Sequence, residues 1–209
     1  MRFTDAIRSV YRRHGAGGVL FKGLTAGARR IFFTNSAWWF SRQIDKSLAV
    51  PEDDPRVSVV CDRPAETIAW LKACSEDFAY NEREMAVALE EKHILSHIRL
   101  DKKIIGYLKV GIGALYLSDY KRAIDLSPGE AMIYDTYIAP AYRGKRLAHR
   151  LISATLVYMR EKGYREVVCH IPPGNAASLA AYRAAGFRRR VFVRHIHLLN
   201  CFGFEITRA

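Results

Sequence analysis

Tyr137-Ile138-Ala139-Pro140-Ala141-Tyr142-Arg143-Gly144-Lys145-Arg146-Leu147-Ala148 is the stretch on which the reading of the fold turns. The residues before it, 131–138, read as a strand, and Pro140 as a turn. The apolar spacing over 146–162 predicts a long helix, ended by Gly163. A strand that enters a helix through a short basic loop aims several backbone N–H groups, and the positive end of the helix, at one place. Arg143, Lys145 and Arg146 add charge there, which suits a phosphate or pyrophosphate. An ordinary basic loop is the alternative at this point.

Further along comes Ile171-Pro172-Pro173-Gly174-Asn175-Ala176-Ala177-Ser178-Leu179-Ala180-Ala181-Tyr182-Arg183-Ala184-Ala185-Gly186-Phe187. Together the two stretches resemble the GCN5-related N-acetyltransferases, the GNAT superfamily. The first is similar to that family's pyrophosphate loop, (Q/R)-x-x-G-x-(G/A). The second is similar to N-x-x-S-x-x-x-Y-x-x-x-G-F, supplied here by Asn175, Ser178, Tyr182, Gly186 and Phe187. The resemblance covers about residues 56–200. It departs at the fourth loop position, usually Gly and here Arg146, whereas Ala148 keeps the small sixth position. An Arg in the first turn of a helix can keep helical φ and ψ, and that is the expectation for Arg146.

The resemblance implies an α/β (α+β) fold. Its mixed central sheet has about six to seven strands and is splayed between 131–138 and 166–171, with flanking helices. It also implies an acyl-CoA-dependent N-acyltransferase, with acetyl-CoA or another acyl-CoA as co-substrate, in which an amine attacks the thioester directly. Main-chain groups at Tyr137 and Ile138 would hold the pantetheine arm. The loop Arg143, Gly144, Lys145, Arg146, Leu147 and Ala148 would bind the pyrophosphate, and Asn175 and Ser178 would bind near the arm. Tyr182 would protonate the leaving thiolate, with a helix tyrosine packed on the core as the alternative. Asp135 is the best candidate base. Period-2 alternation puts it on one face with Ile133 and Tyr137. A polar residue that only binds substrate or pairs with an Arg is equally open. His97, His149 and His170 are weaker candidates. His195 and His197 alternate in a late strand, but no third ligand is in view and no metal is expected.

Working outward, Arg56–Cys61 reads as a strand, 64–75 and 82–92 as helices, and 93–100 with 103–110 as a hairpin. Residues 114–117 extend or follow it, and 118–130 reads as a polar loop. Residues 166–171 read as a strand, 176–185 as a helix, and 187–199 and 202–207 as closing strands. The acceptor amine would meet the early helices, the late strands and the 118–130 loop. Those regions supply Trp70, Phe78, Tyr80, Arg188, Arg189, Arg190 and Arg194. The arginines suit an acidic small-molecule acceptor or an amino sugar; a solvated strand face is the alternative.

The 209 residues are half hydrophobic, which excludes a disordered chain. The four cysteines, Cys61, Cys74, Cys169 and Cys201, lie far apart, so neither a CxxC site nor a disulfide scaffold is suggested. No run of ~18 apolar residues occurs, so a spanning helix is not expected. The net charge is +12. Residues 1–50 carry nine Lys/Arg and two Asp/Glu, against 24 and 19 in the remainder. A boundary is therefore expected near Val50–Pro55, dividing a basic, aromatic extension (1–50) from a GNAT domain (51–209). Within the extension, 3–13 and 18–32 read as basic amphipathic helices and 36–44 as a short strand. The protein is expected in the cytoplasm, where residues 1–33 either dock on an anionic membrane surface at the inner face of the membrane or pack on the domain. Nucleic acid is the least supported partner, and a homodimer is open. The rival readings are a non-catalytic acyl-CoA-binding or membrane-docking module, and a long-chain N-acyltransferase.

Overall fold

The computed structural model describes residues 32–51, 54–74, 82–118, 120, 122–198 and 202–208. Residues 1–31, which hold the two expected amphipathic helices, lie outside the described residues, as do Phe78, Tyr80 and Cys201. The strands are β1 (Phe32–Gln43), β2 (Val57–Val60), β3 (Ile94–Leu100), β4 (Lys103–Gly111), β5 (Ala114–Leu117), β6 (Arg122–Asp125), β7 (Glu130–Ile138), β8 (Glu166–Ile171), β9 (Arg188–Leu198) and β10 (Phe202–Arg208). The helices are α1 (Pro64–Ala73), α2 (Glu82–Glu90), α3 (Leu147–Glu161) and α4 (Ala176–Ala184).

The segment Ala37–Phe192 forms one compact unit. Its sheet runs β9-β1-β8-β7-β4-β3-β2. Val193–Arg208 belongs to a second unit, where the rest of β9 neighbours β10. The sheet is mixed: β7 and β8 are parallel, while β1 with β8, β4 with β7, β3 with β4 and β2 with β3 are antiparallel. That makes seven strands, within the six to seven expected. One of them is β1. Trp38–Gln43 pair with Ile171–Glu166 of β8, so this part of the expected 1–50 extension is an interior strand. Ala37 and Phe40 are buried there. The expected polar loop 118–130 also differs, because Arg122–Asp125 pair with Ala114–Leu117 as a separate two-stranded sheet. Leu115, Leu117 and Tyr120 pin that hairpin to a small core with Ala37 and Met132.

The main core lies under α3. Leu147, Leu151, Ile152, Leu156 and Met159 recur at helical spacing and pack on Leu108, Val110, Ile133, Val167 and Cys169 of the sheet. Truncating Leu151 or Leu156 to Ala would cost ~2–5 kcal/mol. α3 is followed by Gly163 at φ 86, a left-handed residue that ends the helix at no steric cost. α4 begins at Asn175, whose Oδ1 accepts from the Ser178 N–H at 3.1 Å. α1 starts with Pro64, and Thr67 Oγ1 donates to the Arg63 carbonyl at 2.8 Å.

One irregularity decides how the site is arranged. Lys109 of β4 faces Asp135 of β7, but Val110 faces Ile133, so Tyr134 is an extra residue in β7. The bulge reverses the alternation. Ile133 joins the face under α3 with Leu108 and Val110. Asp135 shares the other face with Lys109, Tyr107 and Tyr137. The expectation that Ile133, Asp135 and Tyr137 share a face therefore fails at Ile133, because regular alternation ends at the bulge.

Candidate functional site

β7 and β8 pair only from Glu130 with Glu166 to Ile133 with Cys169, and then part. The edge of β7 that faced β8 is released beyond that point, and its backbone groups become available to a ligand. On the α3–α4 side of the divergence lies a cleft of about 800 Å³. Tyr137, Ile138, Arg143, Gly144, Arg146, Leu147, Ala148, Asn175, Ser178 and Tyr182 all line it. Of the residues expected to bind cofactor, Lys145 alone does not, and it is exposed. His149 and Thr136, not foreseen as cofactor contacts, line it as well.

The floor of the cleft is built for an anion. Gly144 has φ 81 and Arg146 has φ 56, ψ 13, two left-handed residues of the kind that make backbone concavities for anions, just before α3 begins. The first turn of a 15-residue helix then adds its unsatisfied N–H groups. The expectation that Arg146 keeps helical dihedrals is corrected here. It holds the left-handed conformation for which Gly is favoured, so the departure from the family pattern changes the residue and not the backbone. Arg143 turns back on the strand: its Nε donates to the Ile138 carbonyl at 2.9 Å, and its guanidinium lies 5.6 Å from the Tyr137 ring centre. That carbonyl is thus already engaged.

At the inner end, Tyr182 Oη lies 2.8 Å from Thr136 Oγ1. Tyr182 is buried and packs edge-on against Phe187, with ring centroids 5.1 Å apart. Burial first, with the Cys169 and Asp135 charges adding to it, pushes its phenol well above the ordinary tyrosine value, and the Thr136 bond partly offsets this. The phenol is therefore protonated at any working pH.

Asp135 lies on the opposite face of β7. Its Oδ2 accepts from Tyr107 Oη at 2.8 Å and from Lys109 Nζ at 3.0 Å. Lys109 is buried, and its Nζ also donates to Glu84 Oε1 of α2 at 2.9 Å. A buried ammonium shared by two carboxylates is compensated, whereas alone it would be costly. Burial and the neighbouring Asp135 hold the Tyr107 phenol far above its ordinary value, so it stays a donor. Tyr107 stacks on Tyr137 at 5.7 Å, with Trp70 of α1 at 6.1 Å and 6.5 Å from the two rings.

A second pocket, of about 690 Å³, lies on this face. α2 contributes Arg83, Glu84 and Val87, and Glu91 follows it. The hairpin β5–β6 contributes Tyr116, β7 contributes Tyr134, β8 contributes His170, and His93 also lines it. His93 Nδ1 and Tyr134 Oη are 3.0 Å apart. Sequence reasoning missed Tyr107, Lys109, Glu84, Thr136 and Tyr134, because each becomes relevant through cross-strand register. The expected wall at 118–130 contributes Ser118 and Ala123, and residues 114–117 complete it. Two of the late-strand arginines are engaged elsewhere. Arg189 lies 4.3 Å over the Trp38 ring, and Arg190 donates to Ser41 at 2.6 Å and to Glu166 at 3.1 Å. His97 is buried under α1, with Nδ1 3.0 Å from Thr67 Oγ1. His195 is buried in the second unit. Among the described residues no group of three His, Cys, Asp or Glu could hold a metal ion.

The acetyltransferase (GNAT) family profile matches residues 61–187, the stretch that carries both faces of the site. The chain belongs to the GNAT family. That family uses acetyl-CoA. Solved structures share the fold. The GCN5-related N-acetyltransferase from Sphaerobacter thermophilus aligns with TM-score 0.59 and 16% identity over 89% of this chain and 57% of its own. The GCN5-related N-acetyltransferase from Kribbella flavida aligns with TM-score 0.55 and 14% identity over 87% of this chain and 63% of its own. The chain thus spans little more than half the length of the Sphaerobacter protein. No curated protein matches the sequence.

Proposed function

We propose that this GNAT protein transfers an acetyl group from acetyl-CoA to a primary amine of a small molecule by direct attack in a ternary complex. The observation that carries the reading is the pair of pockets on opposite faces of the sheet, set beside the divergence of β7 and β8. The α3–α4 cleft suits a pyrophosphate, through the left-handed turns of the Gly144–Arg146 loop, the α3 N-terminus and the charges of Arg143 and Arg146. The released edge of β7 suits the pantetheine arm and the thioester carbonyl, whose developing negative charge a backbone N–H stabilises.

The acceptor reaches the thioester from the second pocket. As an ammonium it has no lone pair, so one proton leaves first, relayed to Asp135 behind the pocket wall and onward to solvent. The amine nitrogen then bonds to the carbonyl carbon, the C–S bond breaks, and Tyr182 protonates the departing thiolate. The second amine proton restores the Tyr182 phenol. A thiol near ~8.5 and a phenol near ~10 in water are close enough for this exchange, and burial raises the phenol. Lys109 and Tyr107 fix the Asp135 carboxylate in place. The test is release of free thiol from acetyl-CoA across a panel of amines. Binding of acetyl-CoA without thiol release for any amine would reduce the protein to an acyl-CoA-binding module.

A further inference from the structure

The two pockets differ in charge, and this sorts their ligands. Residues 51–209, which supply both pockets, carry 24 Lys/Arg against 19 Asp/Glu, a cationic excess. The α3–α4 cleft follows the excess, with Arg143 and Arg146 and no carboxylate in its lining. The second pocket reverses it. Counting the pair behind its wall, Glu84, Glu91 and Asp135 stand against Arg83 and Lys109. His93 adds no positive charge at neutral pH, because burial lowers its pKa. Its Nε2 is buried and has no hydrogen-bond partner among the described residues, leaving a polar atom in the wall.

The carboxylates are also spaced. Glu84, Val87 and Glu91 follow one helical stripe and all line the pocket. Glu84 lies at the β7 end, where Lys109 joins it to Asp135. Glu91, seven positions on, is about 10 Å further along the axis and is exposed. Between them the pocket offers apolar surface at its rim: Val87 is 44% and Tyr116 61% exposed, both among the few large hydrophobics left open.

Resting on the transferase reading above, we infer that the acceptor is a diamine or longer polycation, with one amine acylated at the β7–β8 divergence and a second, protonated amine held against Glu91, which lies about 10 Å along the helix from Glu84. Val87 and Tyr116 cover the carbon body between the two. The acidic acceptor suggested by the late-strand arginines has no counterpart in this pocket, since Arg189 and Arg190 are held by Trp38, Ser41 and Glu166.

The experiment measures acetyl-CoA turnover with 1,8-diaminooctane, octylamine and acidic amino acids, on the full chain and on Glu91→Gln. The diamine should have the highest kcat/KM. Glu91→Gln should raise its KM about threefold to fivefold with little change in kcat, and shrink its advantage over octylamine. Added salt should do the same to the unmodified protein. Equal use of octylamine or the acidic amino acids, or an unchanged diamine KM in Glu91→Gln, overturns the acceptor class and leaves the transferase reading standing. No transfer to any amine overturns both.

Discussion

Tyr182 and Thr136 share a 2.8 Å hydrogen bond between a helix on one side of the cleft and the strand that forms its floor. The bond fixes the phenol where β7 leaves β8, and it opposes the effect of burial on the phenol. Thr136→Val keeps the shape and removes the partner. A neutral hydrogen bond is worth ~1 kcal/mol, so kcat should fall by about fivefold while acetyl-CoA binding is retained. Steady-state kinetics with a separate binding titration would show it. An unchanged kcat would mean that Thr136 does not position Tyr182.

Asp135→Asn tests the base. At pH 7 the acceptor is an ammonium, so loss of the carboxylate should lower kcat/KM by ~10²-fold or more. Without a base, only amine deprotonated in solution reacts. The deficit should therefore shrink as pH rises toward ~10, the ordinary range of an alkyl amine. A constant deficit across that range would point to substrate binding instead.

Much of this could be read in advance. The spacing of Asn175, Ser178, Tyr182 and Gly186 fixes α4 and its neighbours, since a helix cap, a helix face and a helix stop each follow from local chemistry. The Tyr134 bulge could not be foreseen. Only pairing with β4 shows that Lys109 faces Asp135 and Val110 faces Ile133, and so places Asp135 away from Ile133. The same holds for Lys109 and Tyr107, ordinary strand residues until register sets them against Asp135. β1 was legible as a strand, but its seat beside β8 depends on a partner far along the chain. Arg146 misled because a residue that tolerates helix tells nothing of whether its backbone is helical.

Arg146→Gly and Arg146→Ala lose the same charge but differ in the backbone they favour. At φ 56 a side chain with a Cβ carries a penalty of ~1–2 kcal/mol that glycine escapes. Part of that is offset by glycine's greater freedom in the unfolded chain. Chemical denaturation should find the Gly variant more stable than the Ala variant by ~1 kcal/mol. Equal midpoints would mean that the loop does not hold this conformation.

His93 and His97 both have pKa values lowered from 6.5, chiefly by burial. Their neutral forms fit the fold, so the stability they contribute is present above the unfolded value and is lost as pH falls through the folded values. Unfolding free energy should therefore decline below about pH 6.5. Replacing both with Gln should flatten that decline. A decline of unchanged slope would assign the acid sensitivity to the carboxylates instead.

The central claim is that Tyr182 gives its proton to the departing thiolate, and Tyr182→Phe tests it most directly. The substitution removes one oxygen from a buried ring and keeps the contact with Phe187. Acetyl-CoA binding, measured by titration, should stay within about twofold, while kcat for an amine acceptor should fall by ~10²–10⁴-fold. Turnover in Tyr182→Phe equal to that of the unmodified protein would contradict the account.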